Sequence, residues 1–171
     1  MHVYVDESER QDYLLCAVLV PGSPDPLRSA LRALCRPGQR RVHFAKENDA
    51  RRRAILAELV RLGLRARVYT SPGAVKESRE LCLAALVADV APAGARRLIL
   101  ESRESMNHLD VLTLDAALRK HGTGQLEYQH LRPHEEPMLW SADAIAWAVG
   151  AGGDWRRRVD PVLVELVRLG R

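Results

Sequence analysis

Three acidic residues of this sequence occupy positions where acids are unusual. Asp6 follows the strand-like run V-Y-V, and Glu101 ends the apolar run L-I-L. Asp143 is the single charged residue in the apolar stretch M-L-W-S-A-D-A-I-A-W-A-V, residues 138–149. Asp and Glu are poor strand residues, and Asp is also a weak helix former. Carboxylate oxygens are the ligands that hard divalent cations prefer, so these positions indicate metal chemistry.

Divalent cations held by carboxylates are suited to phosphodiester chemistry. Two such ions roughly 4 Å apart can clamp the attacking and leaving oxygens of an in-line displacement. A site of this kind needs acids from different elements, for example from two neighbouring strands and a flanking helix. Side chains alternate along a strand, which places Asp6 on one face and Glu7 on the other. We therefore expect Asp6 to enter the site and Glu7 to support it.

Each acid also has an ordinary structural interpretation. Asp6 and Glu7 can mark the point where a strand reaches solvent and a turn begins. Glu101 can be an exposed acid that pairs with Arg103. Asp143 can lie in the first turn of a helix, where the helix dipole favours a negative charge.

The elements that must position these acids alternate in a way that predicts an α/β domain. Strands are predicted at about 2–6, 13–20, 64–70, 97–101 and 125–131, with a short candidate at 41–44. Helices are predicted at about 26–34, 49–62 with Asp49 as its cap, 76–90, 106–121, 137–149 and 161–169. Residues 13–20 are apolar on both faces, so this strand should be central. The order predicts a mixed central β-sheet flanked by helices, with a helical extension at about 154–171.

Composition and motifs narrow the class of protein. The 171 residues are 47% hydrophobic, which suffices for one sizeable core in a single domain. The three cysteines form no C-x-x-C pair, so we expect reduced thiols in a cytoplasmic protein. No signal peptide and no membrane-spanning run is apparent. Walker A, G-x-S-x-G and H-E-x-x-H motifs are all missing, which argues against those enzyme classes.

Positive charge is concentrated in one region of the sequence. The net charge is +4, yet residues 36–53 alone contain seven basic residues and two acidic ones. The candidates for binding nucleic-acid phosphates are Arg40, Arg41, Lys46, Arg51 and Arg52. The run Arg156-Arg157-Arg158 is a weaker candidate. The ordinary alternative is a solvated helix face that pairs with Glu47 and Asp49.

Three blocks of the sequence, in order, resemble one known family. They are V-Y-V-D-E-S at residues 3–8, L-I-L-E-S-R at 98–103 and L-W-S-A-D-A-I-A-W at 139–147. The blocks are similar to those of the RNase H-like family catalogued as domain of unknown function 3800. The resemblance implies an RNase H-like fold over residues 1–171. It also implies that Asp6, Glu101 and Asp143 bind Mg²⁺ or Mn²⁺ and are catalytic, with Asp110 as a weaker candidate ligand.

This resemblance implies a divalent-metal-dependent nuclease that hydrolyses phosphodiester bonds of RNA or DNA. Residues expected beside the metal or the substrate are Glu7, Ser8, Arg103, His43 and His130. The two histidines are chosen because each lies in a strand-like segment, although such residues often only pack and form hydrogen bonds. The alternative is a non-catalytic RNase H-like module that binds nucleic acid or a partner protein.

Overall fold

The computed structural model describes residues 1–121 and 125–170, whose strands form a six-stranded sheet. The strands are β1 His2–Glu9, β2 Tyr13–Val20, β3 Arg65–Ser71, β4 Arg97–Glu101, β5 Glu127–Leu131 and β6 Leu163–Arg168. Their order across the sheet is β5-β4-β1-β2-β3-β6. Strands β1, β2 and β3 are antiparallel neighbours, whereas β4 is parallel to both β1 and β5, and β6 is parallel to β3. The sheet is therefore mixed, as the sequence predicts.

Helices cover both faces of this sheet. They are α1 Asp25–Arg32, α2 Asp49–Arg61, α3 Val75–Val90, α4 Glu104–His121, α5 Met138–Ala151 and α6 Gly153–Val159. One face packs against α1, α2 and α5 and is called the α5 face below. The opposite face packs against α3 and α4 and is called the α3 face. None of the described helices has both the length and the apolarity needed to cross a bilayer.

Alternation along the strands divides the core into these two halves. Tyr4 of β1 packs on the α5 face, and its neighbours Val3 and Val5 pack on the α3 face. Strand β2 is buried on both faces between β1 and β3, which confirms its predicted central position. This arrangement puts each charged residue that follows on a predictable side of the sheet.

The C-terminal segment differs from its predicted helix. Residues 163–168 form β6, and the helical part of the predicted extension ends with α6 and a single 3₁₀ turn, Asp160–Val162. The segment L-V-E-L-V-R satisfies its backbone by pairing with β3, whose edge would otherwise be open. Its β-branched residues also suit a strand. Pairing with the edge of β3 therefore outweighed the local preference for the helix predicted at 161–169.

Two local predictions before α2 were also wrong. Residues 41–44 form no strand; they lead into a 3₁₀ turn at Phe44–Lys46. The cap of α2 is Asn48, whose Oδ1 accepts from the Arg51 backbone N–H at 2.9 Å, while Asp49 lies in the first turn. The predicted stop of α4 at Gly122 lies outside the described residues.

Leu15→Ala should test the packing of the central strand. Leu15 is 0% exposed, so the variant should lose about 2–5 kcal/mol of unfolding free energy by creating a cavity. Leu81→Ala is the matched control, because Leu81 is 50% exposed and the change should stay within about 0.5 kcal/mol. Urea unfolding followed by circular dichroism measures both. Equal losses in the two variants would contradict this description of the core.

Candidate functional site

A cavity of about 250 Å³ lies where the pairing of β1 with β4 ends, and it is called the acidic cavity below. Asp6, Glu101 and Asp143 all line it. The parallel pairing of β1 with β4 sets Val5 opposite Leu100, so the two acids that come next in each strand are neighbours. Helix α5 adds Asp143 from its second turn. The fold thus brings together three acids that are far apart in the sequence.

Side-chain alternation explains why these acids share one side of the sheet. Tyr4 and Ile99 pack on the α5 face, and Asp6 and Glu101 each follow two residues later on the same face. Ala142 and Ala144, on either side of Asp143, are fully buried in that half of the core. Helix α5 therefore directs the side chain of Asp143 towards Asp6 and Glu101.

The surroundings of Asp6 disfavour the ionised form of its carboxyl group. Burial raises the pKa of Asp6 well above its usual value, and the charges of Glu101 and Asp143 raise it further. A hydrogen bond with Glu101 acts in the same direction. The Glu7 backbone N–H, which donates to Asp6 Oδ1 at 2.7 Å, only partly opposes these effects.

Asp143 experiences similar electrostatics with better compensation. Burial raises its pKa to about 6, and the charge of Glu101 adds to the rise. The Phe44 backbone N–H donates to Asp143 Oδ2 at 3.3 Å, and this bond and the Arg41 charge lower the pKa. On β2, opposite Asp6, burial and the same carboxylates raise the pKa of Cys16, so that its thiol stays neutral.

The donor chemistry of the acidic cavity suits Mg²⁺ or Mn²⁺. Burial and neighbouring acids raise the pKa of Asp6 and of Asp143 even though Arg41, Arg79 and Arg103 also line the cavity. A hard divalent cation would supply further compensating charge. Within residues 1–121 and 125–170, no group of three or more His, Cys, Asp or Glu side chains is arranged so that it could hold a metal ion. Asp6, Glu101 and Asp143 therefore share one cavity without forming a coordination shell.

Arg41 and His43 form a basic wall of the same cavity. Burial lowers the pKa of His43, and the charges of Arg41 and Lys46 lower it further, so the imidazole is neutral at pH 7. Its buried Nδ1 has no hydrogen-bond partner in the described part of the chain. The wall therefore offers one fixed cation and one neutral imidazole beside the carboxylates.

Glu7 and Arg103 connect the cavity to the opposite face of the sheet. Arg103 lines the cavity, and its Nη1 donates to Glu7 Oε1 at 2.6 Å and to Glu9. Glu7 lies on the α3 face, where its Oε2 accepts from the Tyr13 hydroxyl at 2.5 Å and from Arg79. Asp6 and Glu7 are adjacent in sequence, yet one faces a cluster of acids and the other is fully paired.

Arg79 is the centre of a buried ion-pair network on the α3 face. Its side chain is 4% exposed and donates to Asp110 Oδ1 at 2.6 Å and Oδ2 at 2.8 Å. His130 Nε2 lies 2.8 Å from Asp110 Oδ2. Burial alone would raise the pKa of Asp110, but the hydrogen bonds from Arg79 and His130 lower it below its usual value.

This network places two of the predicted site residues, Asp110 and His130, away from the acidic cavity. Asp110 was predicted as a possible metal ligand, but both of its oxygens are occupied by partners on the face opposite to Asp143. His130 likewise contacts Asp110 and not the acidic cavity. Arg79 itself was missed, although one signal could have found it: it shares the buried side of α3 with Cys82, Leu83 and Leu86, where a charge needs a partner.

Two of the predicted phosphate-binding residues have structural roles instead. Arg51 contacts Glu47 at 3.5 Å and donates to the Leu34 carbonyl at 2.5 Å. Arg52 contacts Asp49 at 3.0 Å and donates to the Ala45 carbonyl at 2.5 Å. These contacts fasten the loop before α2 to the helix, so both guanidinium groups are already engaged.

The remaining predicted residues are more exposed. Arg40 and Lys46 are exposed on the loop before α2, beside the cavity-lining Arg41. Ser8 is partly exposed on β1, opposite Leu14, and is not among the residues that line the acidic cavity.

Comparison with solved structures identifies the fold. This chain is similar to RNase HII in the structure of the PCNA:RNase HII complex from Archaeoglobus fulgidus, with a TM-score of 0.55 and 18% sequence identity. The match covers 86% of this chain and 70% of that chain. The protein has an RNase H-like fold. No family model and no curated protein matches the sequence, so the likeness concerns the fold alone.

Asp143→Asn should change how stability depends on pH in metal-free protein. The pKa of Asp143 is about 6 when folded and 3.8 by default, so between these values the folded state holds a proton that the unfolded state has lost. Stability from this group is therefore present below about pH 4 and falls by about 3 kcal/mol as pH rises to 7. Urea unfolding in EDTA at several pH values should show a smaller decline for the variant. Parallel curves would contradict the assigned pKa.

Arg79→Met should destabilise the protein strongly because it leaves two carboxylates without their partner. We expect a loss of about 3–5 kcal/mol in unfolding free energy. The double variant Arg79→Met with Asp110→Leu should recover part of this loss, since it removes the stranded charge together with its partner. Chemical unfolding of both variants measures the difference. Additive losses would show that the two side chains are not coupled.

Proposed function

We propose that this protein is a divalent-metal-dependent nuclease of the family catalogued as domain of unknown function 3800, acting at the acidic cavity. The observation that carries the proposal is that Asp6, Glu101 and Asp143 line one cavity, where burial and the charges of the other two acids raise the pKa of Asp6. Such an arrangement is costly in free energy unless a cation relieves it. Costly arrangements of titratable groups are typical of functional sites.

In this proposal, Asp6, Glu101 and Asp143 hold Mg²⁺ or Mn²⁺. When bound, such an ion stabilises charge on the phosphate and lowers the pKa of a coordinated water. Asp6 and Asp143 must lose their protons before they can act as ligands, so we expect metal affinity to rise with pH through about 6. This coupling gives the raised pKa values a functional consequence.

The basic wall supplies the substrate contacts. Arg41 faces the cavity without an ion-pair partner in the described residues, so its guanidinium is available for a phosphate oxygen. His43 adds an uncharged imidazole ring to the lining of the cavity. Arg103 is held by Glu7 and Glu9, which fixes its position at the rim.

The fold agrees with this chemistry by analogy. The similar solved protein is named an RNase HII, but at 18% identity its activity is not transferred by likeness alone. The support therefore comes from the residues of the cavity, and the substrate class we propose is RNA or DNA.

Cleavage of labelled RNA, DNA and hybrid duplexes with Mg²⁺ or Mn²⁺ tests the proposal. The wild type should cleave at least one substrate, and Asp6→Asn or Asp143→Asn should reduce the rate by about 100-fold or more, as expected when a metal ligand is lost. The matched control is Glu77→Gln, which changes an exposed acid of α3 on the opposite face of the sheet and should retain full activity. Either ion should also raise the melting temperature of the wild type but not of Asp6→Asn.

Two results would contradict the nuclease. Nucleic-acid binding without cleavage under either ion would favour the non-catalytic binding module. Cleavage that survives in Asp6→Asn, with the protein free of contaminating nuclease, would place the chemistry elsewhere.

A further inference from the structure

A second cavity, of about 510 Å³, opens on the same face of the sheet and is called the arginine groove below. Three arginines line it: Arg10 from the turn after β1, Arg156 from α6 and Arg168 from β6. Its floor and walls include Leu14, Thr70, Val149, Gly150 and Leu166. The groove is thus assembled from five separate parts of the chain and combines apolar walls with guanidinium groups.

The arginine groove continues the surface that begins at the acidic cavity. Leu14 packs on the α5 face, and its partner across the sheet is Thr70, which pairs in turn with Arg168. Arg10 lies four residues beyond Asp6, about 13 Å along an extended chain. Helix α5 borders both sites, from Asp143 to Gly150, a rise of about 10 Å. A ligand can therefore contact both sites without crossing the sheet.

The groove keeps part of its positive charge. Neither Arg10 nor Arg168 forms an ion pair within 4.0 Å in the part of the chain that the structure describes. Arg156 shares its charge with Asp160 at 3.0 Å, and Asp12 is the acid among the lining residues. Within residues 36–53, by contrast, Arg51 and Arg52 are already paired.

Arg10 is held in place rather than left free in solvent. Its guanidinium lies 4.8 Å from the centre of the Trp147 ring, a cation–π contact. A Cβ atom at Gly150 would lie 3.1 Å from Arg10 Cδ, so the glycine leaves the space in which this side chain packs. An exposed arginine that is ordered before binding loses less conformational entropy when a ligand arrives.

We infer that the arginine groove binds the phosphodiester backbone of the nucleic-acid strand that extends from the acidic cavity. This inference rests on the proposed nuclease function and adds to it a route for the substrate. Guanidinium groups recognise phosphates through paired hydrogen bonds, and the apolar walls suit sugars rather than base edges. Binding there is independent of base sequence. At about 3.4 Å per nucleotide, the groove is reached about three to four nucleotides from the cut.

Substrate length combined with mutation tests this route. Oligonucleotides of one sequence are shortened stepwise on either side of the cleavage position, and kcat and KM are measured for each. The wild type should show KM rising about 10-fold when the strand on one side falls below about four nucleotides. Arg10→Ala with Arg168→Ala should raise KM for the long substrate about 10-fold or more, with kcat and the KM of the short substrate within about 2-fold.

The controls separate charge from folding. Arg65→Ala with Arg119→Ala removes two exposed arginines, Arg65 lying on the α3 face and Arg119 at the end of α4, and should leave KM unchanged. Arg10→Lys with Arg168→Lys should recover part of the affinity. In EDTA, fluorescence anisotropy with a labelled strand should give a salt dependence that is shallower by about 1–2 in log–log slope for the alanine pair.

The outcomes distinguish the route from the nuclease itself. If the protein cleaves with a KM that depends on neither strand length nor the alanine pair, substrate binding in the groove is contradicted. The nuclease proposal is then unaffected. Absence of cleavage, with strand binding in EDTA that still depends on Arg10 and Arg168, would overturn the nuclease and keep the groove as a nucleic-acid site. Loss of neither affinity nor salt slope in the alanine pair would overturn the groove in either case.

Discussion

Repulsion among the carboxylates of Asp6, Glu101 and Asp143, which line one cavity, is the constraint on which the functional interpretation depends. Burial and nearby carboxylates raise the pKa of Asp6 and of Asp143, so ionising these two side chains costs more than in solvent. The fold holds these acids close together because they lie on rigid elements: two parallel strands and a helix that packs into the core. Under the proposed function, a bound divalent cation would offset this repulsion. Stability and function therefore oppose each other at this position.

The α3 face shows the opposite solution to the same problem. Arg79 compensates Glu7 and Asp110 through short contacts, and His130 completes the set. Asp6 and Glu7 are neighbours on β1, yet ionisation of Asp6 is disfavoured whereas the charge of Glu7 is paired. The network also reaches the cavity, because Glu7 holds Arg103 at its rim. These contacts of Glu7 fix the position of the part of β1 that carries Asp6.

Much of the fold was accessible from sequence, but not the parts that depend on distant partners. Strand β4 and the double-sided burial of β2 follow from local apolar patterns. Residues 163–168 became a strand only because β3 left an edge to pair with. Asp110 resembled a ligand in sequence, and its role was decided by an arginine 31 residues away. Arg51 and Arg52 likewise donate hydrogen bonds to backbone carbonyls, and the spacing of residues in the sequence does not reveal these contacts.

The sequence by itself determined which residues are out of place in their local setting: acids at Asp6, Glu101 and Asp143, where strands and an apolar helix gain nothing from a charge. Only the tertiary structure decided that these acids share one cavity, and that Arg10, Arg156 and Arg168 line one groove beside it. The physical reason is the range of the forces. Propensity and side-chain alternation act over a few residues, whereas charge compensation depends on distances in space, which are set when strands pair and helices pack.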